Sequence, residues 1–312
     1  MSKDLFRSIE HLDLTDRVEQ TEDRPRFAGG FGKIYYGKLS SDSGVVNVAI
    51  KRVSISGDQN FADTVKKELK IWSRLDHQNV LKLRGYTLDD AKFPALVSEY
   101  MENGTMLNYL KLHPQVDILE MVNGVAEGLA YLHKEGVIHA DLKSDNVLIS
   151  PSGAPLLTDF GISRMLIVTH TVTVLKDLIG SVRWMAYELI APHCQLPSNV
   201  DTTTITEMKP TVPSKETDVW AFGMVVYEIL TKQHPFAGYL DVQAIAAIAM
   251  GRLPAPPSNL QSLGTIETSL WDLCTRCWDR DTTSRPVMTD VVREINGRSF
   301  VSWISLDSFP RD

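Results

Sequence analysis

Val137-Ile138-His139-Ala140-Asp141-Leu142-Lys143-Ser144-Asp145-Asn146-Val147-Leu148 is the stretch on which the fold turns. Two apolar segments bracket a polar loop that holds a histidine, two carboxylates, a lysine and an asparagine. A loop between buried segments must find partners or ligands for so many polar groups. Downstream, Pro155-Leu156-Leu157 leads into Thr158-Asp159-Phe160-Gly161. A carboxylate ending a short strand suits a hard divalent cation. Asp159 follows Asp141 by eighteen residues, and the two belong to one constellation.

Three further signals lie upstream, in a fixed order. Val48-Ala49-Ile50-Lys51 ends an apolar strand on a lysine. A bare buried ammonium is costly, so Lys51 needs a partner or an anionic ligand. Glu68, seventeen residues on in a helix expected over 61–75, supplies that partner and would aim the ammonium at phosphate. Phe27-Ala28-Gly29-Gly30-Phe31-Gly32-Lys33-Ile34 reads as a glycine-rich hairpin. Small residues there let the backbone N–H groups of Ala28, Gly29, Gly30, Phe31 and Gly32 approach phosphate oxygens closely. Ile34 follows where an apolar residue would press on an adenine ring. Any one of these signals is ordinary strand, turn or loop chemistry; five in order are not.

The texture around these signals predicts an α+β chain in two lobes. Residues 26–53 read as strand, glycine turn, strand, turn and strand, and short strands are expected near 81–88 and over Ala95–Glu99. Beyond Met101 the pattern becomes helical, with an amphipathic helix over 118–133 and an apolar, fully buried one over 220–230. The break between lobes is expected near 99–104. Residues 1–24 are polar and acidic, and their first part is expected to be loosely ordered. Residues 191–217 hold six Thr, four Pro and no aromatic residue, which marks a long surface excursion.

The chain has 312 residues and a formal net charge of −7, which argues against nucleic acid or an anionic membrane as its main partner. Three cysteines, Cys194, Cys274 and Cys277, point to a reducing, intracellular (cytoplasmic) setting. Cys274 and Cys277 read as two buried thiols one helical turn apart, because no second C-x-x-C completes a metal site. The start of the chain carries no signal-peptide pattern. The longest run without charged or strongly polar groups, 219–227, is too short to span a bilayer.

In order and spacing the five motifs resemble the eukaryotic protein kinase family, most closely its tyrosine-kinase-like serine/threonine members. The likeness covers about residues 18–297 and is supported by Gly180–Glu188, by Asp218-Val219-Trp220-Ala221-Phe222-Gly223 and by Arg285-Pro286. It implies the two-lobed protein kinase fold. The small lobe (about 18–100) has an antiparallel sheet and one main helix, and the larger lobe (about 101–297) is mostly helical. An extension over 1–17, an insertion over 191–217 and a tail over 298–312 complete the division.

By the same likeness, ATP and Mg²⁺ are the cofactors and a protein is the substrate. Asp141 would accept or orient the proton of the substrate hydroxyl, Lys143 would stabilise the phosphoryl group in flight, and Asn146 and Asp159 would hold Mg²⁺. Lys51, held by Glu68, would fix ATP. Ala49 and Leu148 would sandwich the adenine, with Ser98 as a small gatekeeper and Glu99, Tyr100 and Met101 as the hinge. Lys143, together with a Ser181 hydroxyl able to bond Asp141 or Lys143, favours serine/threonine over tyrosine substrates. Arg285 would pair with Glu188.

Three departures stand out. Phe27 occupies the place of the first loop glycine, Ala140 that of an arginine, and Tyr187 that of a proline before Glu188. The missing arginine removes the main charge partner for a phosphate on Thr169, Thr171 or Thr173, so activity is expected not to depend on phosphorylation there. The competing reading is a pseudokinase, an ATP-binding or scaffold module. Residues 191–217 are a candidate partner-docking element, and the apolar tail residues Phe300, Trp303, Ile304, Leu306 and Phe309 are expected to pack on the large lobe, with partner docking as the alternative.

Overall fold

The computed structural model describes residues 9–29, 32–42, 44–53, 69–88, 94–160, 181–194, 212–257 and 264–306. The chain divides into two compact units, Met1–Glu102 and Asn103–Asp312. The first is built on an antiparallel sheet and the second is mainly helical, the α+β division that the change of sequence texture predicts.

The sheet contains β1 (Val18–Gln20), β2 (Phe27–Gly29), β3 (Gly32–Ser41), β4 (Gly44–Val53), β5 (Leu83–Thr87) and β6 (Ala95–Glu99). Its order is β1-β3-β4-β6-β5, with β2 paired to β3 beside β1. β3 and β4 form a hairpin that closes at Ser41↔Gly44, where Gly44 has φ +122°, a conformation that side chains resist. Alternation along β4 sends Val48 and Ile50 into a core with Leu14, Leu39, Ala95 and Val97. Ala49 and Lys51 therefore take the opposite face. Their cross-strand partners, Tyr36 and Ser98 for Ala49 and Ile34 and Leu96 for Lys51, share that face.

Residues 9–17, which fall in the expected N-terminal extension, are part of this unit together with β1. Ile9 and Leu14 are buried, Asp13 bridges Tyr86 of β5, and Leu14 N–H donates to the Tyr86 carbonyl at 2.8 Å. β1 then pairs with β3 at the other side of the strand order. The segment thus spans the core-facing side of the sheet from β5 to β3. Apolar anchors five residues apart, within an acidic stretch, give no periodic signal. Of the helix expected over 61–75, only a turn at 69–72 falls among the described residues.

The second unit contains α1 (Met106–Leu112), α2 (Ile118–Lys134), the hairpin β7 (Val147–Ile149) and β8 (Pro155–Leu157), and α3 (Tyr187–Cys194). It continues with α4 (Lys215–Thr231), α5 (Asp241–Ala249), α6 (Thr265–Cys277) and α7 (Met288–Leu306). Asp117 caps α2 by accepting from Leu119 N–H and Glu120 N–H, and Ser214 caps α4 in a capping box with Thr217. Every residue of α4 from Thr217 to Ile229 is buried, the acids Asp218 and Glu228 included. α6 lies so close to α4 that a Cβ on Gly223 would stand 2.7 Å from Cys277 Cβ. Cys274 and Cys277 are free, buried thiols, and burial pushes Cys277 up to about 12, which makes the pair inert. Among the described residues, no helix is long and apolar enough to cross a membrane.

The sheet unit offers a direct test of its N-terminal strap. A Cβ on Gly85 would lie 2.2 Å from the Leu12 carbonyl oxygen and 2.8 Å from Leu14. Gly85→Ala is expected to lift the strap and cost about 1–3 kcal/mol, the usual range for overpacking, read from urea denaturation. An unchanged midpoint would mean that the strap contributes little.

Candidate active site

The polar loop between α2 and β7 is shaped by a carboxylate from far along the chain. Asp218, in the first turn of α4, is 1% exposed. It accepts from His139 N–H at 2.8 Å, Ala140 N–H at 2.8 Å and His133 Nε2 at 2.9 Å. Two consecutive amides converging on one carboxylate bend the chain tightly, and Ala140 takes φ 65°, a costly value for a residue with a Cβ.

The bend presents the residues the sequence singled out. Asp141 is buried, and its Oδ2 accepts from Asn146 Nδ2 at 2.8 Å, with Lys143 Nζ at 3.3 Å. Asn146 Nδ2 also donates to the Asp141 carbonyl at 2.7 Å, which fixes the amide's orientation. Lys143 Nζ donates in turn to Ser181 Oγ at 2.7 Å. Asp159 follows β8 with φ 61°, and Phe160 is buried edge-on to the His139 ring at 6.2 Å. His139 is fully buried, and desolvation holds it below its ordinary 6.5 against the opposing pull of Asp218, Asp141 and Asp159. One neutral imidazole therefore sits within electrostatic reach of three carboxylates. Leu148 lies on β7 between Val147 and Ile149, paired with Leu156.

In the sheet unit, Ile34, Ala49, Lys51 and Ser98 share one face, as the register dictates. Lys51 and Ser98 are buried. Met101 is buried, and Glu99 pairs through its side chain with Arg84 at 2.7 Å. Ala28 pairs with Lys33, and Gly29 with Gly32. Gly30, Phe31 and Glu68 lie outside the described residues, as do Thr169, Thr171 and Thr173.

A second buried carboxylate, which sequence reasoning missed, gathers four donors. Glu228 is 0% exposed and accepts from Ser144 N–H at 3.1 Å, Ser144 Oγ at 2.6 Å, Trp184 Nε1 at 2.9 Å and His234 Nδ1 at 2.7 Å. Arg183, beside Trp184, donates to the carbonyls of Phe236 at 2.8 Å and Tyr239 at 2.6 Å and pairs with Asp241 at 2.9 Å. The 3-10 turn Val182–Trp184 is thereby pinned to the polar loop, to α4 and to the start of α5. Arg285 grips Glu188 with two bonds of 2.7 and 2.8 Å, and Arg280 lies 5.0 Å over the Tyr187 ring, so the helix starts cleanly at Tyr187 without a proline. The signal for these acids was present in the sequence: Asp218 and Glu228 are the two charged residues in an otherwise apolar helical run, and a buried charge needs partners.

His234 links this network to pH. Its bond to Glu228 raises its pKa above the ordinary 6.5, helped by Asp145 and opposed by burial and by Lys111. A histidine raised on folding stabilises fully below about 6.5 and loses that contribution as pH climbs through the raised value. Wild type is therefore expected to exceed His234→Gln in stability most at about pH 5.5 and least at about pH 8.5, measured by chemical denaturation. A gap that widens with pH would contradict the assignment.

The sequence profile described as protein tyrosine and serine/threonine kinase matches residues 27–295. The chain is 28% identical to the tyrosine-protein kinase transmembrane receptor Ror of Drosophila melanogaster over 293 residues, 91% of this chain and 39% of that protein. It is 30% identical to MAP3K epsilon protein kinase 1 of Brassica napus over 268 residues, 83% of this chain and 18% of that protein. A probable serine/threonine-protein kinase of Dictyostelium discoideum is 30% identical over 272 residues, 85% of this chain and 38% of that protein. The chain spans less than half the length of each.

Proposed function

The chain belongs to the protein tyrosine and serine/threonine kinase family, and on that premise we propose that it transfers the γ-phosphate of ATP to serine or threonine hydroxyls of protein substrates. The observation that carries this reading is Lys143, whose ammonium lies 3.3 Å from the Asp141 carboxylate and 2.7 Å from the Ser181 hydroxyl. A substrate hydroxyl delivered there meets a carboxylate to take its proton and a cation to meet the phosphoryl charge. The hydroxyl oxygen bonds to the γ-phosphorus, the bond from phosphorus to the β–γ bridging oxygen breaks, and ADP leaves with that electron pair. Asp141 receives the proton. Ser181, held by Lys143, supports the preference for serine and threonine.

The donor set fits Mg²⁺. Both hydrogen bonds of the Asn146 side chain are made by Nδ2, so Oδ1 has no protein partner among the described residues. No group of three His, Cys, Asp or Glu side chains suited to a metal occurs among those residues. Mg²⁺ needs only one or two protein ligands when phosphate oxygens supply the rest. Asn146 and Asp159 would hold it, and when bound it neutralises phosphate charge. Lys51 would meet the α- and β-phosphates with Glu68 as its partner, and the backbone of 28–32 would cradle them. Within the sheet unit, Ile34 and Ala49 would pack on the adenine, Ser98 would border it, and the backbone of Glu99 and Met101 would bond its edge; Leu148 is assigned to the adenine on the likeness to the family alone. We assign the catalytic domain to 18–297, and the two buried free thiols suit an intracellular setting.

Independence from activation-loop phosphorylation is part of the proposal. Arg183, Trp184 and Ser181 anchor the end of that segment to Asp241, Glu228 and Lys143, protein groups that need no phosphate. Ala140, with its amide on Asp218, offers no cation for one.

A labelled-ATP assay on serine, threonine and matched tyrosine peptides tests the reading. Transfer is expected to serine and threonine and to fall at least about 100-fold in Asp159→Asn, as for loss of a group that stabilises transferring charge. Equal signals from both proteins would remove the enzyme reading and leave an ATP-binding or scaffold module. Phosphatase treatment is expected to leave the rate unchanged; its abolition would refute phosphorylation independence.

A further inference from the structure

Arg26 stands immediately before β2, at the root of the glycine turn. Its Nε donates to Glu22 Oε2 at 2.9 Å and its Nη2 to Glu22 Oε1 at 2.5 Å, while Nη1 donates to the Tyr100 hydroxyl at 2.9 Å. The guanidinium lies 4.3 Å from the centroid of the Tyr36 ring and 5.2 Å from that of Tyr100. Tyr36 and Tyr100 meet edge to face at 4.9 Å. One side chain thus joins the segment before β2, the middle of β3 and the hinge that follows β6.

Exposed ion pairs contribute little when they are single and mobile, but a bidentate fork packed against two aromatic rings is a different case. The Glu22 bond holds that carboxyl below its usual range and raises the guanidinium further, so both stay charged at any ordinary pH. β2 needs such a tie. It has three residues, pairs only with β3 among the described residues, and leaves Phe27 60% exposed, so the Phe27 ring adds little to hold it in place. Tyr100 is itself fixed to the sheet, since its N–H donates to the Asn47 carbonyl at 3.1 Å.

We infer that Arg26 is a positioning residue for the nucleotide: it ties the strand that opens the glycine turn to the hinge, and so sets the spacing between the backbone that meets phosphate and the backbone that meets adenine. The inference rests on the nucleotide site proposed above. The tie matters only for a ligand that touches both ends. ATP does; adenosine reaches the hinge but not the phosphate cradle.

Calorimetric titration of Mg·ATP and of adenosine into wild type, Arg26→Ala, Arg26→Lys and Tyr100→Phe tests this without requiring turnover. Arg26→Ala is expected to weaken ATP about tenfold and adenosine by less than about twofold, because only ATP spans the tie. Arg26→Lys recovers part of the loss, since a lysine keeps the cation over the rings but not the fork. Tyr100→Phe weakens ATP about threefold, and adding it to Arg26→Ala costs nothing more, as expected of one shared network. In turnover, KM for ATP rises while kcat and KM for peptide stay within about twofold. Unchanged ATP affinity in Arg26→Ala would overturn the inference and leave the nucleotide site standing. Equal losses for ATP and adenosine would also overturn it, by showing a general structural role. Failure of wild type to bind ATP at all would remove the nucleotide site and this inference together.

Discussion

The carboxylate of Asp218 fixes the chain path on which the candidate site is built. Buried in the first turn of α4, it is an anion that water cannot reach, and three donors compensate it. The N-terminal end of a helix is itself a favourable place for negative charge. Because two of those donors are successive backbone amides, the acid does more than pair: it imposes a bend. Ala140 goes left-handed, and the next residue, Asp141, emerges in the orientation where Asn146 and Lys143 can reach it. Without the bend, the residues from 139 to 146 are simply a polar loop.

The same helix carries the second constraint ten residues later. Glu228 ties Ser144 of the polar loop to Trp184 of the 3-10 turn Val182–Trp184. Arg183 extends that tie to the start of α5, and Arg285 fixes the helix that follows the turn through Glu188. The apolar interior of α4 provides the rigid spine, and its two acids hold the polar loop at residues 139–140 and 144.

Much of this was legible in the sequence. Change of period located the strands and helices, and motif order singled out Asp141, Lys143, Asn146, Asp159, Ala49 and Lys51 as candidates. Of the two partners open to Ser181, Asp141 and Lys143, the structure shows Lys143, and Arg285 meets Glu188. The rest stayed hidden for definite physical reasons. Asp218 and its amide donors are 78 and 79 residues apart, so no local pattern couples them. The strap over residues 9–20 relies on two widely spaced apolar anchors inside acidic sequence. Arg26 looks like an ordinary surface cation until Glu22, Tyr36 and Tyr100, which converge only in three dimensions, are seen around it.

Glu228 has a consequence for how this chain can drift. Its two oxygens already serve an amide, a hydroxyl, an indole and an imidazole. Glutamine, closest in shape, would turn an N–H₂ group toward donors, and aspartate is one methylene too short to reach all four. Relatives of this chain should therefore keep the acid, the serine, the tryptophan and the histidine together, or exchange them together. A lineage in which one has changed alone should carry a compensating substitution at another corner of the same quartet.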